Sequence, residues 1–311
     1  MAAINAIEVN HLSKQFGQKT VVDDISFNVR QGTVFGLLGP NGAGKTTTLR
    51  MMTTLLQATT GQVKIFGHDT RLEGRLARSM FGLTGQYAAV DEDISARENL
   101  MIFSRLNGLS RLAAKKRTDE LLTEFSLTQS ADQALKHFSG GMRRRLDLAV
   151  SLITRPALIF LDEPTTGLDP RTRTQMWTTI RQLVKQGSTI ILTTQYLDEA
   201  DQLADELAII DHGKLVRMGT PAELKQQVGG LKLNLTIDQA GQVIPAVQVL
   251  AAQVTGNIQQ NGQQLSLRIN KLAQVAPILT VLNQAGITFS QLVVQEPSLD
   301  DVFMKLTVGK N

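Results

Sequence analysis

Residues Val34, Phe35, Gly36, Leu37 and Leu38 form an apolar run that feeds directly into glycines, the pattern of a buried strand ending in a loop. Between residue 7 and this run the chain reads as short strands. Further short apolar runs stand at 63–66, 80–84, 157–161, 189–193 and 207–211, several of them separated by helical patterns. This alternation predicts an α/β sheet with a parallel core. Between residues 95 and 136 the period changes to that of helices. Ser95-Ala96-Arg97-Glu98 is a capping box, and Leu100, Phe103 and Leu106, then Leu121, Leu122 and Phe125, recur at helical spacing. A helical subdomain of about residues 92–150 is therefore expected within a sheet domain covering residues 1–229.

The pattern after residue 229 has a different character. A short helix starts at Thr220-Pro221, with the threonine as cap and the proline in the first turn, and Gly229-Gly230 closes the first domain. Residues 231–237 alternate as a strand, 245–253 are helical, and 257–260 and 265–269 flank an Asn261-Gly262 turn. A helix over 272–284 and a strand over 288–294 complete the order βαββαβ, which predicts a small α+β, ferredoxin-like accessory domain over 230–311. A last helix capped by Ser298 is expected to end the chain.

Composition narrows the setting. With 311 residues, 42% of them hydrophobic, the chain can fill both cores. Zero cysteines excludes disulfides and zinc-thiolate sites and fits a reducing compartment. The first residues lack the basic patch and apolar core of a secretory signal, and no run approaches the roughly 18 apolar residues of a bilayer span. Work at a membrane would need a partner that supplies the spanning helices. The net charge of +4 is spread along the chain, with Arg143-Arg144-Arg145 as a tight arginine triplet. Two readings of the triplet stay open, a solvated helix face or a surface for an acidic lipid or partner; neither makes a nucleic-acid groove, and no nucleic-acid partner is expected.

Candidate chemistry begins after the first apolar run. Gly39-Pro40-Asn41-Gly42-Ala43-Gly44-Lys45-Thr46 fits G-x-x-x-x-G-K-[ST] between a buried strand and a helical segment that opens with Thr47. Glycines let backbone N–H groups wrap phosphates, the Lys45 ammonium reaches the terminal phosphates, and the Thr46 hydroxyl can bind Mg²⁺. Leu158-Ile159-Phe160-Leu161-Asp162-Glu163 supplies an apolar strand ending in two carboxylates. Asp162 is placed to hold the Mg²⁺ shell, leaving Glu163 to orient or deprotonate water for attack on the γ-phosphate. A second anion-binding design stands at Phe138-Ser139-Gly140-Gly141-Met142, where Ser139 can cap a helix whose first turn carries bare backbone N–H groups. One nucleotide does not need two such sites from one chain, so the γ-phosphate of another copy is the expected ligand.

Lys45-Thr46, Gln86, Ser139-Gly140-Gly141, Asp162-Glu163 and Gly167-Leu168-Asp169 stand in the order and spacing of ATP-binding-cassette ATPases. The chain resembles an ABC transporter nucleotide-binding subunit. More narrowly it resembles the daunorubicin-resistance type of drug-export ATPase, through Leu83-Thr84-Gly85-Gln86-Tyr87, residues 139–147, residues 193–201 and Glu296-Pro297-Ser298-Leu299-Asp300. The resemblance implies a P-loop NTPase fold of the ABC type, ATP and Mg²⁺ as cofactors, phosphate contacts from Gly39 to Thr47, and a homodimer that sandwiches two nucleotides. It also implies that Phe16 stacks on adenine, that Gln86 contacts Mg²⁺ and senses the nucleotide, and that Asp169 couples the two sites. Without the family, Phe16 reads as a core aromatic and Gln86 as a loop amide. By the same resemblance, residues 86–99 form part of a groove for a separate permease, and the protein lies peripherally on the cytoplasmic face of the membrane. It would drive export of a drug or lipid-like substrate. The competing expectation is a soluble cassette ATPase of translation or DNA repair, although the chain has neither a second cassette nor long coiled coils.

Two departures from the family pattern stand out. Met142 replaces a glutamine common in such cassettes and leaves the serine and glycines intact. Gln195 stands where most cassettes place a histidine; its amide can donate a hydrogen bond but cannot shuttle a proton near neutrality. Gln195 is therefore expected to sense and position phosphate, with water activation left to Glu163.

Overall fold

Two long strands open the chain where short ones were expected. β1 (Asn5–Phe16) and β2 (Lys19–Arg30) each run 12 residues and pair antiparallel. Register shifts interrupt the pairing, one of them between Val9 and Leu12, and His11 and Asp24 have φ of 50° and 52°. Such bulges break the apolar and polar alternation, which is why the sequence pattern reads as shorter pieces. The computed structural model describes residues 5–85, 90–227, 230–253 and 258–307.

The next elements are β3 (Val34–Leu38), α1 (Lys45–Met52), β4 (Thr60–Ile65), β5 (His68–Asp69), α2 (Gly74–Ser79) and β6 (Phe81–Thr84). The expected helical segment follows as α3 (Ala96–Leu106), α4 (Arg111–Glu124) and α5 (Gly140–Ser151). At its start Ser95 accepts from Glu98 N at 3.2 Å while the Glu98 carboxylate accepts from Ser95 N at 2.8 Å, the capping box seen in the sequence. The first unit closes with β7 (Leu158–Asp162), α6 (Pro170–Lys185), β8 (Thr189–Thr194), α7 (Leu197–Leu203), β9 (Glu206–Asp211) and β10 (Lys214–Gly219).

These strands form two sheets. One is antiparallel in the order β2-β1-β4-β5; the other runs β10-β9-β3-β8-β7-β6, parallel from β9 to β6 with β10 antiparallel at its edge. Consecutive residues of β7 serve different cores. Leu158 and Phe160 pack with α1 and the antiparallel sheet, whereas Ile159 and Leu161 pack with the helical segment and α6. Each of these side chains is fully buried, a gain of about 1.5–3 kcal/mol apiece over an exposed position. Phe27 of β2 stacks on Phe35 of β3 with centroids 5.0 Å apart, tying the two sheets together. β7 is thus packed on both faces.

The second unit begins at Pro221 and runs to the end of the chain. Its elements are α8 (Pro221–Gln226), β11 (Leu231–Ile237), α9 (Val243–Ala251), β12 (Gln259–Asn261), β13 (Gln264–Ile269), α10 (Val275–Gln284), β14 (Phe289–Gln295) and α11 (Leu299–Thr307). Strand order β12-β13-β11-β14, all antiparallel, is the ferredoxin-like arrangement that βαββαβ predicts. Ser298 caps α11 as expected, accepting from Asp301 N at 3.2 Å, and burial and the bonds from Ser298 leave the Asp301 carboxyl below its ordinary range on balance. The expected division at 229/230 is displaced: contacts divide after Thr220, because α8 packs on α11 and buries Leu224. Gly229 itself lies outside the described residues.

Candidate functional site

The wholly buried β3 lies between β8 and β9 and delivers Gly39 to the end of the parallel sheet. A Cβ at Gly39 would lie 2.2 Å from the Ile210 carbonyl oxygen, so only glycine lets the loop lie this close to β9. Gly44 turns the chain into α1 with φ of 104°, left-handed backbone that a side chain would strain, and a Cβ there would lie 2.8 Å from the Val21 carbonyl oxygen. Ala43 N donates to Pro40 O at 3.2 Å, and Gly213 N donates to Ala43 O at 3.0 Å. Gly39 to Thr46 is therefore a loop fixed by its neighbours, with the first turn of α1 at its end.

Lys45 is buried. Its Nζ donates to Gly39 O at 2.8 Å and Pro40 O at 3.0 Å and lies 3.9 Å from Glu163 Oε1. Burial pushes its pKa below the ordinary 10.5, and the charges of Glu163 and Asp162 push it back up. At the end of β7, Asp162 Oδ1 accepts from the Thr46 hydroxyl at 3.1 Å and from the Thr193 hydroxyl at 2.6 Å. The next residue, Glu163, turns sharply with φ of 49°. Its N–H donates to Thr193 O at 3.2 Å and Thr193 Oγ1 at 3.0 Å, and its Oε2 accepts from the Thr166 hydroxyl at 3.1 Å. Lys45, Thr46, Asp162 and Glu163, drawn from two distant segments, are thus one cluster.

Among the described residues no group of three or more His, Cys, Asp or Glu side chains could hold a metal ion alone. The donors that do converge, one hydroxyl and one carboxylate, are hard oxygens. They fit Mg²⁺, a cation bound by one or two protein oxygens together with water and substrate phosphates.

The other expected site residues are distributed around this cluster. Ser139 caps α5, its hydroxyl accepting from Met142 N at 3.3 Å, and Ser139 and Gly140 are exposed at the helix start. A Cβ at Gly141 would stand 2.4 Å from Thr172 Cγ2, so this glycine serves close packing against α6. Asp169 caps α6, accepting from Thr172 N at 3.0 Å and from its hydroxyl at 2.6 Å, and these bonds hold the Asp169 carboxyl below its ordinary range. Gln195 follows β8 with its side chain half-buried, and Asn41, Gly42 and Thr47 lie on the loop and the first turn of α1. Phe16 is 50% exposed with Lys14 Nζ 5.0 Å from its ring centroid, which corrects its reading as a core aromatic. Gln86 and Tyr87 lie outside the described residues.

Four side chains at the cluster escaped the sequence reading. Thr193 and Thr166 bond Asp162 and Glu163 as described; two threonines ending the apolar run at 189–193 were the visible signal for Thr193. Arg144 corrects the reading of the arginine triplet as a solvated face. It reaches main-chain carbonyls of Gly85, Asp162, Glu163 and Pro164, while Arg145 donates to Phe125 O at 3.0 Å and Arg143 pairs with Glu92 at 2.6 Å. Buried Glu199 accepts from the Thr165 hydroxyl at 2.7 Å and from Trp177 Nε1 at 3.3 Å, and burial raises its pKa.

Comparison with known proteins agrees with this geometry. Residues 22–166 match the family described as ABC transporter, and residues 219–307 match the ATP-binding protein DrrA1-3-like, C-terminal domain. The chain is 44% identical to the daunorubicin resistance ATP-binding protein DrrA3 of Streptomyces coeruleorubidus, over 98% of this chain and 96% of that protein. It is 38% identical to Nod factor export ATP-binding protein I of Ralstonia nicotianae, over 97% of this chain and 93% of that one. A solved ATP binding subunit of an ABC transporter superposes with a TM-score of 0.64 at 28% identity, covering 71% of this chain and 92% of its own.

Proposed function

The chain belongs to the ABC transporter family as an ATP-binding, ATP-hydrolysing subunit of the daunorubicin-resistance type, and on that premise we propose that two copies close around two MgATP to drive a separate permease. The observation that carries the proposal is the convergence of Lys45, Thr46, Asp162 and Glu163, with Lys45 Nζ 3.9 Å from Glu163 Oε1 and Thr46 bonded to Asp162 at 3.1 Å. Backbone N–H groups from Gly39 to Thr47 hold the phosphates, and Lys45 neutralises the terminal ones. Thr46, Asp162 and Gln86 would hold Mg²⁺, which would supply positive charge to offset that of the phosphates. Glu163 accepts the proton of the attacking water, and the half-buried Gln195 positions the γ-phosphate without exchanging a proton. The exposed Phe16 stacks on adenine.

Ser139, Gly140 and Gly141 bind the γ-phosphate held by the other copy, and Asp169 links the two sites. No helix among the described residues is long and apolar enough to cross a membrane. In this reading the permease supplies the spanning helices and the subunit lies peripherally at the cytoplasmic face. Relatives named for daunorubicin resistance and Nod factor export support a hydrophobic drug or lipid-like molecule as the exported substrate.

ATPase assays on two variants test the division of roles. Glu163→Gln should lose about 10²–10⁴-fold in turnover, the usual contribution of a general base, while still forming an ATP-dependent dimer. Gln195→Ala should lose less. Turnover near wild type in Glu163→Gln with abolition in Gln195→Ala would reverse the assignment, and a monomeric Glu163→Gln in saturating ATP would refute the sandwich.

A further inference from the structure

Arg144 lies in the second turn of α5, the helix that Ser139 caps. Its guanidinium is committed to main-chain carbonyls of other segments. Nη2 donates to Asp162 O at 2.7 Å and to Glu163 O at 3.2 Å, Nε donates to Pro164 O at 3.0 Å, and Nη1 donates to Gly85 O at 2.7 Å. Three of these acceptors are consecutive residues of the turn that carries Glu163, and the fourth directly precedes Gln86. A planar fork with five N–H donors can hold such a set; the three donors of a lysine ammonium cannot span it.

Glu163 needs holding. Its φ of 49° is left-handed, unusual for a residue with a side chain, and such backbone persists only where the surroundings over-determine it. The two sides of the turn are fixed by different elements: Thr193 of β8 binds Glu163 N, and Arg144 of α5 binds Glu163 O. Gly141 packs α5 tightly on Thr172 at the start of α6. Any displacement of α5 therefore acts on the turn through Arg144.

We propose that Arg144 is a positioning residue that sets the orientation of Glu163 within its own chain, so that engagement of α5 with the second copy's nucleotide is transmitted to the water-activating group beside it. The inference rests on the reading of Glu163 as base and of Ser139 as a contact to the other copy. A role in merely stiffening α5 would instead affect the site in the second copy, which Ser139 touches.

Mixed dimers of two differently tagged full-length chains separate these cases. With Arg144→Gln in one copy and Glu163→Gln in the other, both sites should be slowed about a hundredfold or more, because one base is misplaced and the other missing. With both substitutions in the same copy, turnover should equal that of a pair made from Glu163→Gln and wild type. The opposite pattern would assign Arg144 to the second copy's site and overturn the proposal, as would activity in both pairs or in neither. A readout that needs no mixed dimer is the homogeneous Arg144→Gln protein, in which kcat should fall about a hundredfold, the scale of a small misplacement of a reacting group, while KM for ATP stays unchanged. Arg144→Lys keeps the charge without the fork and should still lose about tenfold in kcat. Wild-type kcat in either variant, or parallel loss of ATP binding, would overturn the assignment. Failure of Glu163→Gln to dimerise would instead refute the sandwich and leave this kinetic comparison to decide the role of Arg144.

Discussion

Thr193→Val removes one hydroxyl and nearly preserves side-chain shape. That hydroxyl is fully buried, donates to Asp162 Oδ1 at 2.6 Å and accepts from Glu163 N at 3.0 Å. Its bond to the carboxylate is worth about 1.5–3 kcal/mol. The second loss is smaller, because Glu163 N keeps Thr193 O at 3.2 Å, and Asp162 keeps the Thr46 hydroxyl at 3.1 Å. The expected cost is therefore about 2–3 kcal/mol. For a unit of this size each kcal/mol moves the thermal midpoint by about 2–4 °C, so the midpoint should fall by about 4–12 °C. Thr193→Ser retains the hydroxyl and loses a single methyl, worth about 1 kcal/mol, and should fall by less than half as much. Thermal unfolding followed by circular dichroism measures both. Phosphate release well below the midpoint should be at least about tenfold slower in the valine variant, since Asp162 and Glu163 lose a shared anchor. A valine variant that melts with wild type, or above the serine variant, would refute the view that this hydroxyl organises the carboxylate pair.

Two further expectations concern packing and charge. Gly141→Ala places a methyl 2.4 Å from Thr172 Cγ2 and should cost about 1–3 kcal/mol by overpacking; adding Thr172→Ser removes the clashing methyl, and failure of that second change to restore the thermal midpoint would exclude the clash as cause. Glu199 has a folded-state pKa raised by burial above its ordinary 4.5, so its carboxyl favours folding below that value and loses this contribution as pH rises through the folded-state pKa. Glu199→Gln keeps an oxygen for Thr165 and Trp177 and removes the buried charge. Its midpoint relative to wild type should therefore be higher at pH 8 than at about pH 4.5, and an advantage that is flat or falls with pH in melting curves would contradict the assigned shift.

The parts of the site readable in the sequence are those written locally. The strand entering Gly39, the lysine and threonine opening α1, and the apolar run ending in Asp162 and Glu163 each carry their geometry within a few residues. Thr193, Arg144 and Glu199 act across long separations, and no local pattern states which carbonyl an arginine will reach. Arg144 did leave one trace: Leu148, buried on the same helix face at i+4, places it on the covered side of α5. The long hairpin of β1 and β2 was hidden by bulges, and Phe16 by the habit of aromatic residues to be buried. In the second unit the Asn261-Gly262 turn and strand alternation were enough to predict the topology. The expected boundary missed α8, because a helix start says nothing of which core the helix will join.

The two-sided burial of β7 also bears on errors of assembly. Moving this strand by one residue against β8 would send Leu158 and Phe160 into the layer built for Ile159 and Leu161, and each layer would receive the other's shapes. The same slip would carry Asp162 away from Thr46 and Thr193. Misplacement of the carboxylate pair is therefore inseparable from inversion of two cores. A chain with these carboxylates one position out of place would therefore not persist as a folded subunit.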